Sequence, residues 1–272
     1  MSLAIVFDSA GTLLKTVRSV VNFATKELIP QNIETTMLTF EDPARLLVML
    51  NVNSSDLREC DGNQLLSAWM KEKAITFGIS CGRNIIDADE VAEILYGDTT
   101  ATAGDLQKAV ATCKATVSRE NDLFALNAGV IVNTRTRTIE FGIAAAGYPF
   151  PGVRELISSL HKKGIAVYVA SGDRTEKLEM VADKIGIPRN RVHGVATPVT
   201  KAQIVTSLKS EYDIVMMTGD GINDLSAMRA ADVSVLTLQQ EGERPEILKK
   251  TADKIIYDIR DVAAIADELT GE

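Results

Sequence analysis

Two hydrophobic rhythms divide this chain. From about residue 147 onward, short apolar runs alternate with amphipathic stretches of helical period, the order that builds a parallel sheet from strand–helix–strand units. Residues 165–170, 213–217 and 233–238 read as buried strands, 191–195 as a short one and 255–257 as a closing edge strand. Between them, 153–163 puts Val153, Leu156, Ile157 and Leu160 on one stripe before Gly164 stops the helix. A second helix over 176–185 ends at Gly186 and Pro188, shorter ones cover 201–208 and 224–231, and a terminal helix closes the chain. At the other end, residues 1–7 form an apolar run that must join the same sheet.

Residues 15–145 follow a different rhythm. Helical periods dominate over 17–29, 63–77, 89–96 and 105–119, and 130–132 with 138–141 suggest a hairpin around 133–137. The run from Gly147 to Gly152, with Pro149 and Pro151, punctuates the return. The expected fold is α/β: a Rossmann-like, doubly wound parallel sheet from residues 1–14 and 147–272, interrupted by a mostly helical cap over 15–146 that ends in a β-hairpin. A chain of 272 residues is long enough for both parts.

Composition narrows the partners. The formal net charge is −8, and Lys162-Lys163 and Lys249-Lys250 read as solvated helix faces, so neither nucleic acid nor an anionic membrane is an expected partner. No run of about 18 apolar residues appears, and the N-terminus lacks the pattern of a secretory signal. Cys60, Cys81 and Cys113 show no pairing or zinc-like spacing, which suits a reducing compartment. A cytoplasmic protein is expected; oligomeric state is not legible.

Chemistry concentrates at four strand ends. Asp8-Ser9-Ala10-Gly11-Thr12 follows the first strand, Ser171-Gly172-Asp173 follows the strand ending at Ala170, Lys201 comes after Thr197-Pro198, and Thr218-Gly219-Asp220-Gly221-Ile222-Asn223-Asp224 follows another buried strand. In open α/β sheets, ligands sit beyond the carboxyl ends of the strands. Carboxylates with a lysine suit Mg²⁺ and a phosphoryl group, because Mg²⁺ takes a few carboxylate oxygens and lets waters and phosphate complete its shell. Phosphoryl transfer asks mainly for positioning and charge neutralisation.

These four segments resemble the motifs of the haloacid dehalogenase superfamily, and most closely those of the P-type ATPase phosphorylation domain. D-K-T-G-T there corresponds to Asp8–Thr12 here, T-G-D to Ser171–Asp173, the proline-introduced lysine to Pro198 and Lys201, and T-G-D-G-x-N-D is matched in full by Thr218–Asp224. Each is weak alone; four in order are specific. The resemblance covers about residues 1–14 and 147–260. It implies a hydrolase in which Asp8 becomes an aspartyl-phosphate, Mg²⁺ is held by Asp8, Asp220 and the Ala10 carbonyl with Asp224 in support, and Ser171, Gly172 and Lys201 hold the phosphoryl oxygens. Thr12 and Asn223 would add hydrogen bonds. The implied substrate is a small phosphorylated molecule, and the insertion would choose it.

Ala10 departs from the pattern. Most phosphatases of this superfamily carry a second Asp there as general acid and base, a role that typically contributes about 10²–10⁴-fold. Phosphonoacetaldehyde hydrolases have Ala at this place and a cap lysine that forms a Schiff base; Lys71, Lys73, Lys108 and Lys114 all lie in the insertion. Two alternatives therefore stand beside a phosphatase: a carbon–phosphorus hydrolase, and a phosphate- or nucleotide-dependent switch with little turnover. No membrane domain is read in the sequence, so an ion pump is not expected. Asp173 reads as a supporting or capping residue, His161 and His193 as structural, Trp69 and Met70 as helix core, and Arg135 and Arg137 as a solvated hairpin tip.

Overall fold

The first apolar run forms β1 (Leu3–Phe7), with every residue buried. The computed structural model describes residues 1–29, 38–39, 41–52, 54–82, 86–117 and 125–271. The inserted stretch supplies β2 (Leu14–Asn22), β3 (Leu28–Ile29), β4 (Arg45–Leu50), β5 (Phe77–Gly82), β6 (Ala125–Asn133) and β7 (Thr138–Pro149). The remainder adds β8 (Ala166–Ala170), β9 (Val192–His193), β10 (Ile214–Gly219), β11 (Val233–Thr237) and β12 (Lys254–Ile256). The chain divides into two compact units: Met1–Thr16 with Gly147–Glu272, and Val17–Ala146.

The first unit is a six-stranded sheet in the order β12-β11-β10-β1-β8-β9, and its pairs are parallel. The chain starts in the middle at β1, moves outward through β8 and β9, then crosses to the other side of β1 with β10. That reversal makes the gap between β1 and β10 the topological switch point, where ligands bind in doubly wound sheets. β1 and β8 are buried along their whole length, which is why they read as unbroken apolar runs rather than alternating ones. Helix Val153–Lys162 buries the expected stripe of Val153, Leu156, Ile157 and Leu160 and packs on β8, while helix Asp261–Thr270 packs on β1. On one face of the sheet, Ala4, Val6, Tyr168, Val215 and Met217 join Val205 and Leu208 of helix Pro198–Leu208 and Ala227 and Met228 of helix Leu225–Ala230 in one apolar cluster.

The inserted unit is α/β rather than mostly helical. Its sheet has six strands in the order β3-β2-β7-β6-β4-β5, and the β2–β3, β4–β5 and β4–β6 pairs are antiparallel. The helix expected over 17–29 is replaced by β2 and β3. Val17, Val20 and Val21 satisfy a helical spacing, but their branched side chains are stiff and suit a pleated surface. The Asn22 side chain then accepts from Ala24 N (2.9 Å) and Thr25 N (3.2 Å) to turn the chain. The helix expected to run to residue 77 stops at Glu72, and Phe77 opens β5. Helices Ala88–Gly97 and Ala103–Thr116 form where expected, the second with a capping box between Thr102 and Asp105; residues 118–119 of that expected helix lie outside the described residues. The hairpin forms and its strands run longer than expected. Trp69 and Met70 are fully buried. At the hairpin tip Arg135 pairs with Asp42 and Arg137 with Glu93. No helix among the described residues is long and apolar enough to cross a membrane.

Candidate active site

β1 leads directly into Asp8, whose N–H donates to Thr218 O at 2.9 Å and so continues the ladder to β10. The chain then wraps around one carbonyl: Ser9 O accepts from Thr12 N, Leu13 N and Leu14 N, and Gly11 N donates to Leu14 O. Gly11 takes a left-handed φ of +81°, and a Cβ there would lie 2.1 Å from Asp220 Oδ2. Only glycine fits such a position. The turn is tied from a loop after β11: Gln239 Nε2 donates to Thr12 O (2.5 Å), and Thr16 N donates to Gln240 Oε1 (2.9 Å).

Lys201 comes from helix Pro198–Leu208, which Thr197 caps by accepting from Thr200 N at 3.2 Å, with Pro198 in the first turn. Its side chain is 1% exposed. Nζ donates to Asp8 Oδ1 and, at 2.7 Å, to Asp224 Oδ1. Asp224 Oδ2 accepts from the backbone N–H groups of Asp220 and Gly221, each at 3.2 Å. Gly219 lets this turn close, because a Cβ there would meet Asp224 Oδ2 at 2.6 Å. Asp220 accepts from Arg244 Nη2 at 2.7 Å, and the Arg244 side chain is only 5% exposed.

The three carboxylates crowd one another: single oxygens of Asp8, Asp220 and Asp224 lie within 4.8 Å of each other. Burial, together with the charges of Asp224 and Asp220, holds the Asp8 carboxyl well above the usual carboxylate range despite Lys201 beside it. Burial opposes the charge on Lys201, but Asp8 and Asp224 more than offset it, so its ammonium keeps its proton to unusually high pH. An all-oxygen donor set of this kind suits a hard divalent cation. The hydroxyls of Ser9, Thr12 and Thr218 are also buried without a hydrogen-bond partner, and buried polar groups left in this way are rare unless a water or ligand meets them.

Asp8, Lys201, Asp220 and Asp224 are thus assembled in one cluster. Ala10, half-buried, shares the tight turn with Gly11 and bridges to Leu14. The pairing of Phe7 with Val169 brings the turn at Ser171 to the same edge of the sheet. There Ser171 Oγ donates to Asp173 Oδ2 (3.0 Å) and accepts from Asp173 N (3.2 Å), so Asp173 orders its own turn. Gly172 is exposed with open space around its α-carbon, and Asn223 is exposed on the turn beside Asp224. His193 stacks on Tyr168, and burial holds both His161 and His193 below the ordinary histidine value. Lys71, Lys73, Lys108 and Lys114 are exposed, whereas a Schiff-base lysine is made nucleophilic by desolvation or a neighbouring cation. Arg244, Gln239 and Gln240 were not expected at the site. The available signal was their place in the polar loop after the fifth strand of the parallel sheet, at the edge where ligands bind.

A family model of haloacid dehalogenase-like hydrolases matches residues 3–232. Over 99% of its length the chain is 29% identical to a soluble P-type ATPase-like phosphatase of Methanocaldococcus jannaschii, of which it covers 94%. It is 25% identical, over 89% of its length, to a chloroplastic copper-transporting ATPase of Arabidopsis thaliana, but spans only 25% of that protein. A human calcium-transporting ATPase type 2C member 1 is 29% identical over 40% of this chain, which spans 14% of the transporter. Among solved structures, the catalytic domain of a CPx-ATPase aligns over 96% of this chain and 87% of its own at 16% identity and a TM-score of 0.45. A substrate-bound phosphoserine phosphatase aligns over 44% of this chain and 64% of its own at 23% identity and a TM-score of 0.39.

Proposed function

The chain belongs to the haloacid dehalogenase-like hydrolases, and from that premise we propose that it is a Mg²⁺-dependent phosphatase working through phosphorylation of Asp8. The observation that carries the reading is the convergence of buried Asp8, Lys201 and Asp224 with half-buried Asp220 at the switch point between β1 and β10. Resemblance to the soluble P-type ATPase-like phosphatase supports it.

In this reading an Asp8 carboxylate oxygen attacks the substrate phosphorus, forming a carboxylate–phosphorus bond as the phosphorus–oxygen bond to the leaving group breaks. The leaving group takes the electron pair. Water then attacks the phosphorus of the aspartyl-phosphate, releasing inorganic phosphate and restoring Asp8. Asp8, Asp220 and the Ala10 carbonyl would hold Mg²⁺, with Asp224 in support, and the ion when bound supplies charge neutralisation for the phosphoryl oxygens. Lys201 screens the charge on Asp8 and faces the incoming phosphoryl group. Ser171 Oγ and the Gly172 N–H offer donors from the neighbouring turn, and the buried Thr12 hydroxyl and the Asn223 amide are further donors. Asp224 fixes the turn that carries Asp220 by accepting two backbone N–H groups.

Ala10 offers no proton to the leaving group, so the favoured substrates are those whose leaving group is stable as an anion, such as acyl phosphates and phosphoanhydrides. Incubation with acetyl phosphate or beryllium fluoride and Mg²⁺, followed by intact mass and peptide mapping, tests the mechanism. A single adduct on Asp8 that disappears in Asp8→Asn is the expected result. No adduct at Asp8 with any divalent cation would overturn it.

A further inference from the structure

We propose that Arg244 sets the charge of this site so that it favours a divalent cation and a phosphoryl dianion together over the cation alone. The inference rests on the phosphatase reading above and concerns the order and strength with which that site fills. Arg244 Nη2 donates to Asp220 Oδ2 at 2.7 Å and to Gln240 O at 3.4 Å, with the side chain 5% exposed. Its place is fixed by the loop that carries it: Gln239 and Gln240 from the same loop bind the Asp8 turn at Thr12 O and at Thr16.

The charge count follows from the residues. With Asp8 ionised, as a nucleophile must be, the carboxylates of Asp8, Asp220 and Asp224 and the cations of Lys201 and Arg244, taken as a group among the described residues, sum to one net negative charge. A divalent cation reverses that to one net positive charge, which a phosphoryl dianion then meets. Without Arg244 the same cluster carries two negative charges. The cation alone would then neutralise it, and the dianion would arrive at a site with no surplus positive charge. Arg244 therefore opposes Mg²⁺ binding by itself and favours anion binding once Mg²⁺ is present. In a water-poor site such charge terms are several-fold larger than at a surface. A guanidinium is also always charged and weakly hydrated, which suits it to a buried anion-facing position better than lysine.

Titration calorimetry on metal-free protein tests this with two probes, MgCl₂ alone and inorganic phosphate at saturating Mg²⁺, for wild type, Arg244→Gln and Arg244→Lys. Arg244→Gln is expected to bind Mg²⁺ more tightly and phosphate more weakly, each by at least roughly tenfold, a modest share of the effect of one close unit charge at an effective dielectric near 20. Arg244→Lys, which keeps the charge, should fall between. Opposite changes in the two affinities cannot come from a damaged fold. If Arg244→Gln weakens both probes, Arg244 only positions Asp220; if it moves neither, its charge is immaterial. Either result overturns the inference while a wild type that binds both probes keeps the phosphatase reading intact. A wild type that binds neither Mg²⁺ nor phosphate sinks both.

Discussion

Replacing Lys201 by methionine removes the cation that joins two buried carboxylates while keeping most of the side chain's volume. Lys201 is 1% exposed, and the side chains of Asp8 and Asp224 are 4% and 0% exposed. Stripping one partner from such a buried arrangement typically costs about 3–5 kcal/mol, because the remaining charge is left uncompensated. For a domain of this size, each kcal/mol is about 2–4 °C in Tm, so Lys201→Met should melt about 6–20 °C lower in EDTA at pH 7.5. The deficit should depend on pH with a definite sign. Asp8 is held above its unfolded value near 3.8, so the stability it contributes by keeping its proton is present below that value and fades as pH rises through its folded-state titration. Removing Lys201 pushes Asp8 further up, so the Tm gap between variant and wild type should narrow as pH falls toward 4 and widen toward 8. The double variant Asp8→Asn with Lys201→Met, having lost a carboxylate as well as the ammonium, should recover part of the loss. Differential scanning fluorimetry across this pH range, confirmed by urea titration, reads the effect. Equal melting of Lys201→Met and wild type at pH 7.5 in EDTA would show that the three carboxylates do not need the ammonium, and the electrostatic account of the site would fail.

Gly11→Ala should destabilise the protein by about 2–5 kcal/mol, combining roughly 1–2 for a left-handed residue with a Cβ and 1–3 for overpacking against Asp220; Gly172→Ala, which meets open space, should change urea stability by less than about 0.5 kcal/mol. Equal effects at the two glycines would contradict the close approach of Gly11 to Asp220. Ala10→Asp should raise turnover of alkyl phosphates by at least about tenfold, toward the range of general acid–base catalysis, and change acyl-phosphate turnover little. A correctly folded variant with no gain on alkyl phosphates would remove Ala10 from the explanation of substrate preference.

The parallel sheet was legible because its central strands β1, β8 and β10 are buried on both faces, and their apolar runs cannot be mistaken for amphipathic helix at that length. The four motif segments were legible because each sits where such a strand ends. The inserted sheet was not. Val17, Val20 and Val21 satisfy a helical period as well as a strand, and pairing with β3 decides between them. The run Arg45–Leu50 is flanked by the turn residues Pro43 and Asn51, but a short unbroken apolar run has no period to separate strand from helix, and its pairing with both β5 and β6 decides it. Arg244 stayed hidden for another reason. It belongs to no motif, and its 24-residue separation from Asp220 is closed only when β11 is laid beside β10.

The cations around Asp8 also bear on what kind of catalyst the Ala10 site can be. Lys201 does not stand in for the missing acid: Asp8 and Asp224 hold its proton so firmly that it supplies charge and hydrogen bonds rather than the proton itself. Arg244 is still less able to release a proton. The hydroxyls of Ser9, Thr12 and Thr218 are weak acids, and burial holds His193 below the ordinary histidine value while its ring lies against Tyr168. The site is therefore rich in groups that stabilise negative charge and poor in groups that deliver a proton near neutral pH. In the proposed mechanism, charge stabilisation of that kind lowers the barrier for transferring a phosphoryl group to Asp8, and the departing oxygen leaves as an anion. A leaving group of low basicity meets that condition unaided; an alkoxide does not. The same balance would act on the second step of the proposed reaction, where water attacks the aspartyl-phosphate without a base at position 10, so the phospho-enzyme should accumulate during turnover of a good substrate. Rapid quench with labelled acetyl phosphate would show it as an acid-stable adduct approaching one per protein chain, and a substoichiometric level at saturating substrate would mean that some other group activates the water.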